Sequence, residues 1–370
     1  MIDFITNIYF ILPLFILLLF QLLFFFGLFS RFAFFKKVSI KNEPSVSVLI
    51  ATKNEKENLE NNLKSFLEQD YPDYEVIVID DKSLDNTFEY LEQLEEKYSN
   101  LKIVRIKGHI RDYPGKKFAL SLGIRKSTKD ILLFTDADCK AVSNQWIRLM
   151  ARNYSDNNQI VTGFSPYERK NSLLNLIIQF DTFYTALQYF SFTLASMPYM
   201  GVGRNLSYRK ELFNKKGYAT QLHVPYGDDD LFVNKNATEN NISIEIDPDS
   251  FILSKPHTSL SKWFRQKKRH LKGGKEYKKN HKRWLAYLWL SHFAFYVAFA
   301  IAVIFNPLSY LIWGIFGLRF ISSMIVYGFS MKKLKMLPYL WAVPFLDIFY
   351  HIIFVPGMST ISLFSNKKSW

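Results

Sequence analysis

A single cysteine in 370 residues leaves Cys139 without an intrachain disulfide partner, so the chain is no disulfide-stapled scaffold and suits a reducing compartment. No histidine lies near it in sequence, which makes Cys139 a small packing residue rather than an activated thiolate. Acidic residues are also scarce. Against 47 lysines and arginines there are 33, and the net charge of +14 suits anionic lipid, phosphate-rich substrates or nucleic acid. Its distribution favours lipid headgroups and makes nucleic acid the lesser reading: eleven bases crowd into 262–283, directly before an apolar span, and no recognisable nucleic-acid-binding motif accompanies them. Neither an internal repeat nor a low-complexity tract is present, which removes solenoids and disordered arrays.

The opening stretch does not read as a cleavable leader either. Residues 5–29 are nearly all apolar and carry no charge, but Arg31, Lys36 and Lys37 follow the stretch instead of preceding it. About 20 such residues cross a bilayer as a helix, so the stretch reads as a retained anchor. The positive-inside bias then puts the amino terminus outside and the chain beyond Arg31 in the cytoplasm. Near the other end, 285–305 and 308–329 are apolar, are split by Asn306 and Pro307, and are followed by Lys332, Lys333 and Lys335, the pattern of a helical hairpin. A last stretch, 337–356, is interrupted by Pro338, Pro344 and Asp347, and its sequence allows it to span, kink or lie on the membrane. The expected organisation is an anchor over 1–37, a cytoplasmic domain over 38–260, a basic juxtamembrane segment over 261–283 and a membrane region of two or three helices over 284–370.

Between the greasy ends, strand and helix patterns alternate. Short β-rich runs at 46–51, 75–80, 101–106 and 131–135 are separated by helical periodicity over 55–69, 85–98 and 118–126. Repeated βα units imply an α/β fold with a mostly parallel sheet flanked by helices, and in such sheets ligands bind at the carboxyl ends of the strands. Thr52, Asn54, Asp80, Asp81, Asp136 and Asp138 fall at those ends. Residues 173–197 are apolar but carry Asn175, Gln179, Asp181 and Gln188, too polar for a lipid-facing span; a core helix is the simpler reading and an interfacial helix near an acceptor the other.

The run ILLFTDADC (131–139) is the most informative. Paired carboxylates one residue apart after a buried strand place hard oxygen ligands where a divalent cation can bridge protein to diphosphate, although two acids after a strand also make ordinary turns and caps. Other motifs stand in register with it: ATKNE (51–55), VIVIDDKSLDNT (76–87), PGKKFAL (114–120), MGVGRNLSYR (200–209), PYGDDDLFVN (225–234) and WFRQKKRH (263–270). Together, over roughly 44–270, they resemble the inverting, membrane-associated family 2 glycosyltransferases of GT-A fold, related to cellulose, hyaluronan and dolichol-phosphate-sugar synthases.

That resemblance implies a nucleotide-binding loop at Thr52, Asn54 and Glu55, with Asp81 on a uracil-type base and Asp80 beside it. Lys116 or Lys117 would neutralise donor phosphate from a helix start, though such a pair is also an ordinary solvated face. Asp138 would bind Mg²⁺ or Mn²⁺ directly and Asp136 directly or through water. A separate carboxylate must accept the acceptor proton; glycine replaces the commoner glutamate of that motif, and three consecutive aspartates leave two registers, making the base Asp228 or Asp229. Gly203 and Asn205 would approach the acceptor. Gln266 and Arg269, three apart on one helix face, suit pyrophosphate, and His270 stands where processive synthases carry the tryptophan of their acceptor platform; the same residues also make a basic amphipathic surface helix.

The implied activity is hexosyl transfer from a nucleotide-sugar donor, UDP-linked in the first instance, to a lipid-linked or glycan acceptor in envelope glycan or polysaccharide synthesis. The protein would be an integral membrane protein of the plasma or inner membrane, in contact with membrane lipids and not with nucleic acid. Processive synthesis of an exported polysaccharide is the alternative within the class. A non-catalytic nucleotide-binding scaffold is the alternative outside it, disfavoured because both the metal and base carboxylates are present.

Overall fold

The computed structural model describes residues 2–36, 42–107, 115–216, 227 and 229–364. They form two compact units: Lys37–Asn175 with Ser196–Thr258, and Met1–Lys36 with Leu176–Ala195 and Ser259–Trp370.

Among the described residues the first unit has nine strands: β1 (Val46–Thr52), β2 (Tyr74–Asp80), β3 (Leu101–Arg105), β4 (Ile131–Asp136), β5 (Cys139–Ala141), β6 (Ile160–Thr162), β7 (Leu206–Arg209), β8 (Ile242–Ile244) and β9 (Ile252–Ser254). Seven make one sheet in the order β3-β2-β1-β4-β7-β6-β8, and β5 pairs with β9 in a small antiparallel ribbon. β1 to β4 pair in parallel, β7 runs antiparallel to both β4 and β6, and β8 is parallel to β6. The aliphatic runs of the central strands are buried on both faces, as a helix-covered sheet requires. Alternation divides them: Val48, Ile50, Val76 and Val78 pack into one core layer, and Leu49, Ile77 and Ile79 into the other.

Register positions the site. Thr52 lies opposite Asp80, and Ala51 opposite Asp136, so β1, β2 and β4 end level with one another. The chain leaves β1 toward β3 on one side and returns to β4 on the other, the strand-order reversal at which α/β sheets bind ligands. The helix expected over 55–69 is interrupted at Leu63, giving Lys56–Asn62 and Lys64–Leu67. There the Ser65 hydroxyl donates to the Asn62 carbonyl at 2.7 Å, competing with the helical ladder.

In the second unit, four helices among the described residues are long and apolar enough to cross a membrane: Tyr9–Ala33, Lys279–Phe305, Tyr310–Lys333 and Leu337–Thr360. The first packs Leu14 and Leu18 against Phe295, Tyr296 and Ile312. The last is segmented, with a 3-10 turn over Leu337–Ala342 and a π segment over Tyr350–Phe354, consistent with Pro338 and Pro344 in its opening turns.

The helix Leu173–Leu194 corrects the sequence reading. Placed by sequence within a 38–260 domain, as a core helix first and an interfacial one second, it belongs from Leu176 onward to the unit of apolar helices. Phe183 meets Tyr327 edge to face, Tyr184 meets Phe29, and Asp181 pairs with Lys267 at 2.6 Å while accepting from the Tyr350 hydroxyl at 3.2 Å. Asp181 is therefore answered by partners far along the chain.

A polar knot lies among these apolar helices. Arg319 Nη2 donates to Asp347 Oδ2 at 2.7 Å and to His292 Nδ1 at 3.0 Å, and Tyr296 donates to the same carboxylate oxygen at 2.5 Å. The Tyr184 hydroxyl sits 3.1 Å from His351 Nε2 and 3.4 Å from His292 Nε2. His292, Asp347 and His351 are close enough to share an ion, with ligand atoms within 4.8 Å. A guanidinium only donates, however, so Arg319 takes the His292 Nδ1 lone pair and would oppose a dication. We read the knot as a buried ion pair with its hydrogen-bond partners supplied by neighbouring helices.

Candidate active site

Asp136 ends β4, Asp138 follows in the turn, and Cys139 opens β5. The carboxylates and the Cys139 sulfur lie within 4.8 Å of one another. Lys116 Nζ donates to Asp136 Oδ1 at 2.6 Å from the first turn of the helix Lys116–Lys126, entered through Gly115 at φ 111°, a conformation glycine adopts without strain. Burial raises the Asp138 pKa, the Asp136 charge raises it further, and Arg204 and Lys116 draw it partly back. The Cys139 thiol, pushed well up chiefly by burial, donates to Asp138 Oδ1 at 3.4 Å and is no thiolate ligand. Two hard carboxylates whose mutual repulsion a cation would relieve fit Mg²⁺ or Mn²⁺ better than a thiophilic metal.

On the β1/β2 side, two loops are laced together. Asn54, at φ 56°, accepts from Leu84 N through Oδ1 at 2.7 Å, while its own amide donates to Ser83 Oγ at 2.8 Å. Its side chain thus shapes the loop. The Glu55 amide donates to Thr87 Oγ1 at 3.2 Å, and its carboxylate accepts from Asn58. Burial raises the Glu55 pKa against that hydrogen bond, and the charges of Asp138, Asp136 and Asp85 add to the rise. Asp80 is fully buried; Oδ1 accepts from Ser83 N at 3.2 Å, and Oδ2 has no partner. Thr52 Oγ1 is likewise buried and unpartnered. Asp81 is partly exposed, its amide donating to the Thr52 carbonyl at 2.9 Å. Of the two aspartates, then, Asp80 carries the buried oxygen still lacking a donor. Lys117 is buried, leaving Lys116 as the lysine at the carboxylates.

Asp229 lines a small cavity together with Lys116, Thr135, Gly203 and apolar side chains of the sheet. Its Oδ2 accepts from Gly203 N and its Oδ1 from Asp230 N, both at 2.7 Å, the second bond capping the helix Asp230–Asn236. A Cβ on Gly203 would lie 2.8 Å from Asp229 Oδ2, so close approach requires glycine here. Asp228 lies outside the described residues.

Asn205 was expected near the acceptor, and the structure gives it another task. It is fully buried; Oδ1 accepts from Trp146 Nε1 at 2.9 Å, and Nδ2 donates to the Phe164 and Ser250 carbonyls, both at 2.8 Å. With both ends of the amide engaged, it fixes the turn that carries Gly203. Between them stands Arg204, which sequence reasoning missed; a lone cation inside GVGRN was the available signal. Gln266, Arg269 and His270 lie on the helix Leu260–Gly274 of the second unit, where Trp263 stacks on Phe354 at 4.9 Å between ring centroids. Their assignment to donor and acceptor rests on the resemblance.

Residues 47–215 match the model of Glycosyl transferase family 2. Glycosyltransferase AglE of Haloferax volcanii is 39% identical over 107 residues, 28% of this chain and 33% of AglE. Beta-monoglucosyldiacylglycerol synthase of a Nostoc species is 31% identical over 125 residues, 33% of this chain and 26% of that protein. The chain thus spans about a third or less of the length of these curated relatives. Among solved structures, mannosyltransferase PcManGT from Pyrobaculum calidifontis, in complex with GDP-Man and Mn²⁺, shares the fold with a TM-score of 0.59 at 20% identity, over 92% of this chain and 99% of that one.

Proposed function

We propose that this chain, which belongs to glycosyltransferase family 2 and has the GT-A fold, transfers one sugar with inversion from a nucleoside-diphosphate donor, UDP-linked in the first instance, to a lipid-linked or membrane-proximal acceptor. The observation that carries this reading is the pairing of Asp136 and Asp138, flanked by Lys116, which itself lines a small cavity together with Asp229. PcManGT, of the same fold, was solved with GDP-Man and Mn²⁺, which supports a nucleotide-sugar donor and a divalent cation.

Asp136 and Asp138 are the residues that would hold Mg²⁺ or Mn²⁺, and the bound cation would neutralise charge on the departing diphosphate. Thr52 and Asp80 offer the nucleoside buried polar atoms that lack partners in the protein. Asp229, oriented by two backbone amides, accepts the acceptor hydroxyl proton. As that oxygen bonds to the anomeric carbon, the bond from that carbon to the β-phosphate oxygen breaks on the opposite face, so the configuration inverts without a covalent enzyme intermediate.

A membrane-proximal acceptor is supported by four apolar helices and by eleven bases over 262–283. Among relatives, one is named for diacylglycerol glycosylation. The charge pattern after residue 30 favours the sheet unit on the cytoplasmic side, and His270 in place of tryptophan favours single transfer over polymerisation.

The test is nucleoside diphosphate release by detergent-purified protein across a panel of nucleotide sugars, with Mn²⁺ or Mg²⁺ and total membrane lipid. We expect metal-dependent release from one donor, a lipid-extractable product, and loss of release in Asp138→Ala and Asp229→Asn. A washed, high-molecular-weight product would replace single transfer by processive synthesis. Donor binding without turnover would leave the nucleotide-binding scaffold reading, and absence of both would end the enzyme reading.

A further inference from the structure

We infer that Arg204 is a diphosphate-binding residue of this site, its guanidinium taking up the negative charge that appears on the β-phosphate as the nucleoside diphosphate leaves. The inference rests on the glycosyl-transfer reading and adds a residue to it.

Arg204 sits in the 3-10 turn Gly203–Asn205, which is pinned on both sides. Gly203 N holds Asp229, and the Asn205 amide is tied to Trp146, Phe164 and Ser250. A long cationic side chain issuing from so fixed a turn is directed by its backbone, and little entropy remains to be lost when it meets a ligand. Its guanidinium lies over the Tyr167 ring, 4.4 Å from the centroid, and Nη2 donates to the Ser165 carbonyl at 3.3 Å. Nη1 is buried and has no hydrogen-bond partner. A buried charged donor left unmet is costly, and a ligand oxygen would supply what the protein does not.

The charge arithmetic of the reaction identifies that oxygen. A nucleoside-diphosphate sugar carries two negative charges on its diphosphate; when the bond from the anomeric carbon to the β-phosphate oxygen breaks, the bonding pair stays with oxygen and a third charge appears. A dication offsets two. Lys116 is already paired with Asp136. Arg204 is a further cation of this unit, with the Asp136 and Asp138 charges acting on it. Its permanent charge and planar fork match a terminal phosphate, which has three oxygens where a nucleoside monophosphate lacks the β group altogether.

The test compares binding of UDP and GDP with binding of UMP and GMP, in Mn²⁺, to the detergent-purified full chain by isothermal titration. Wild type, Arg204→Gln and Arg204→Lys are measured, together with thermal melting of each. The expected result is that Arg204→Gln weakens the diphosphate it binds by about 10- to 100-fold, the range of a charge-assisted hydrogen bond, leaves the matching monophosphate unchanged and melts near wild type. Arg204→Lys should recover part of the loss. Unchanged diphosphate affinity in Arg204→Gln overturns the inference. So does a parallel loss of diphosphate and monophosphate affinity with a lowered melting temperature, which would make Arg204 a structural counter-ion to the aspartates. A wild type that turns over donor while Arg204→Gln binds normally refutes this inference alone; a wild type that binds no nucleotide refutes the parent reading and this one with it.

Discussion

Replacing Asn205 by alanine removes three hydrogen bonds at once, and the structure says which groups are stranded. The Phe164 carbonyl keeps a second donor, Ile252 N at 3.3 Å, so it is not orphaned. Trp146 Nε1 and the Ser250 carbonyl lose the partners they have at 2.9 and 2.8 Å. A buried polar group left unpaired costs about 1–3 kcal/mol, so the two together should cost about 4 kcal/mol. For a unit of 150–250 residues each kcal/mol moves the melting temperature by about 2–4 °C, which places Asn205→Ala roughly 8–16 °C below wild type. Room for rearrangement is limited, because the backbone crowds the site: a Cβ on Gly163 would lie 2.4 Å from Asn205 Nδ2. Asn205→Asp is the sharper companion. It preserves shape and the bond from Trp146 but turns an acceptor toward two carbonyls, so it should be at least as unstable near neutral pH and regain stability in acid, where a protonated carboxyl donates again. The assay is tryptophan-fluorescence melting of detergent-purified protein, with donor turnover measured in parallel. A melting temperature within 2 °C of wild type, combined with a selective loss of acceptor affinity, would refute the keystone role and restore Asn205 to the acceptor site.

Other outcomes follow from the same geometry. Because burial and Asp136 raise the Asp138 pKa, and only the ionised carboxylate ligates, Mn²⁺ affinity should fall on acidification at a higher pH than for an exposed carboxylate pair; a titration no higher than that of an exposed pair would contradict it. Gly203→Ala should reduce turnover by about 10- to 100-fold with little change in melting, since the new methyl displaces Asp229 rather than opening a core; steady-state kinetics decide. Asp347→Asn leaves Arg319 buried without its counter-charge and should destabilise by about 3–5 kcal/mol, while Arg319→Met combined with Asp347→Leu should recover much of the loss. Equal melting of the single and double variants would show the knot is not an ion pair that needs both members.

Several features were legible in the sequence because they depend on neighbours along the chain. Aliphatic runs such as 76–79 and 131–134 give buried strands, their alternation with helical periodicity gives parallel pairing, and 5–29 reads as a span by length and apolarity. The paired aspartates at the end of β4 were visible for the same reason: a strand's carboxyl end is where a parallel sheet presents its ligands. Tertiary structure decided the rest. Nothing local shows that β7 enters antiparallel beside β4, that Asn205 reaches residues 41 and 45 positions away, or that Leu176 onward joins the helices Tyr9–Ala33 and Tyr310–Lys333 rather than the sheet. The same holds for Arg204 and for Arg319 with Asp347, whose charges look expensive until the fold brings their partners. A strand or a span is selected by its own repeating pattern of apolar residues, whereas a buried polar group is selected by what the folded chain places against it, and that contact has no period to read.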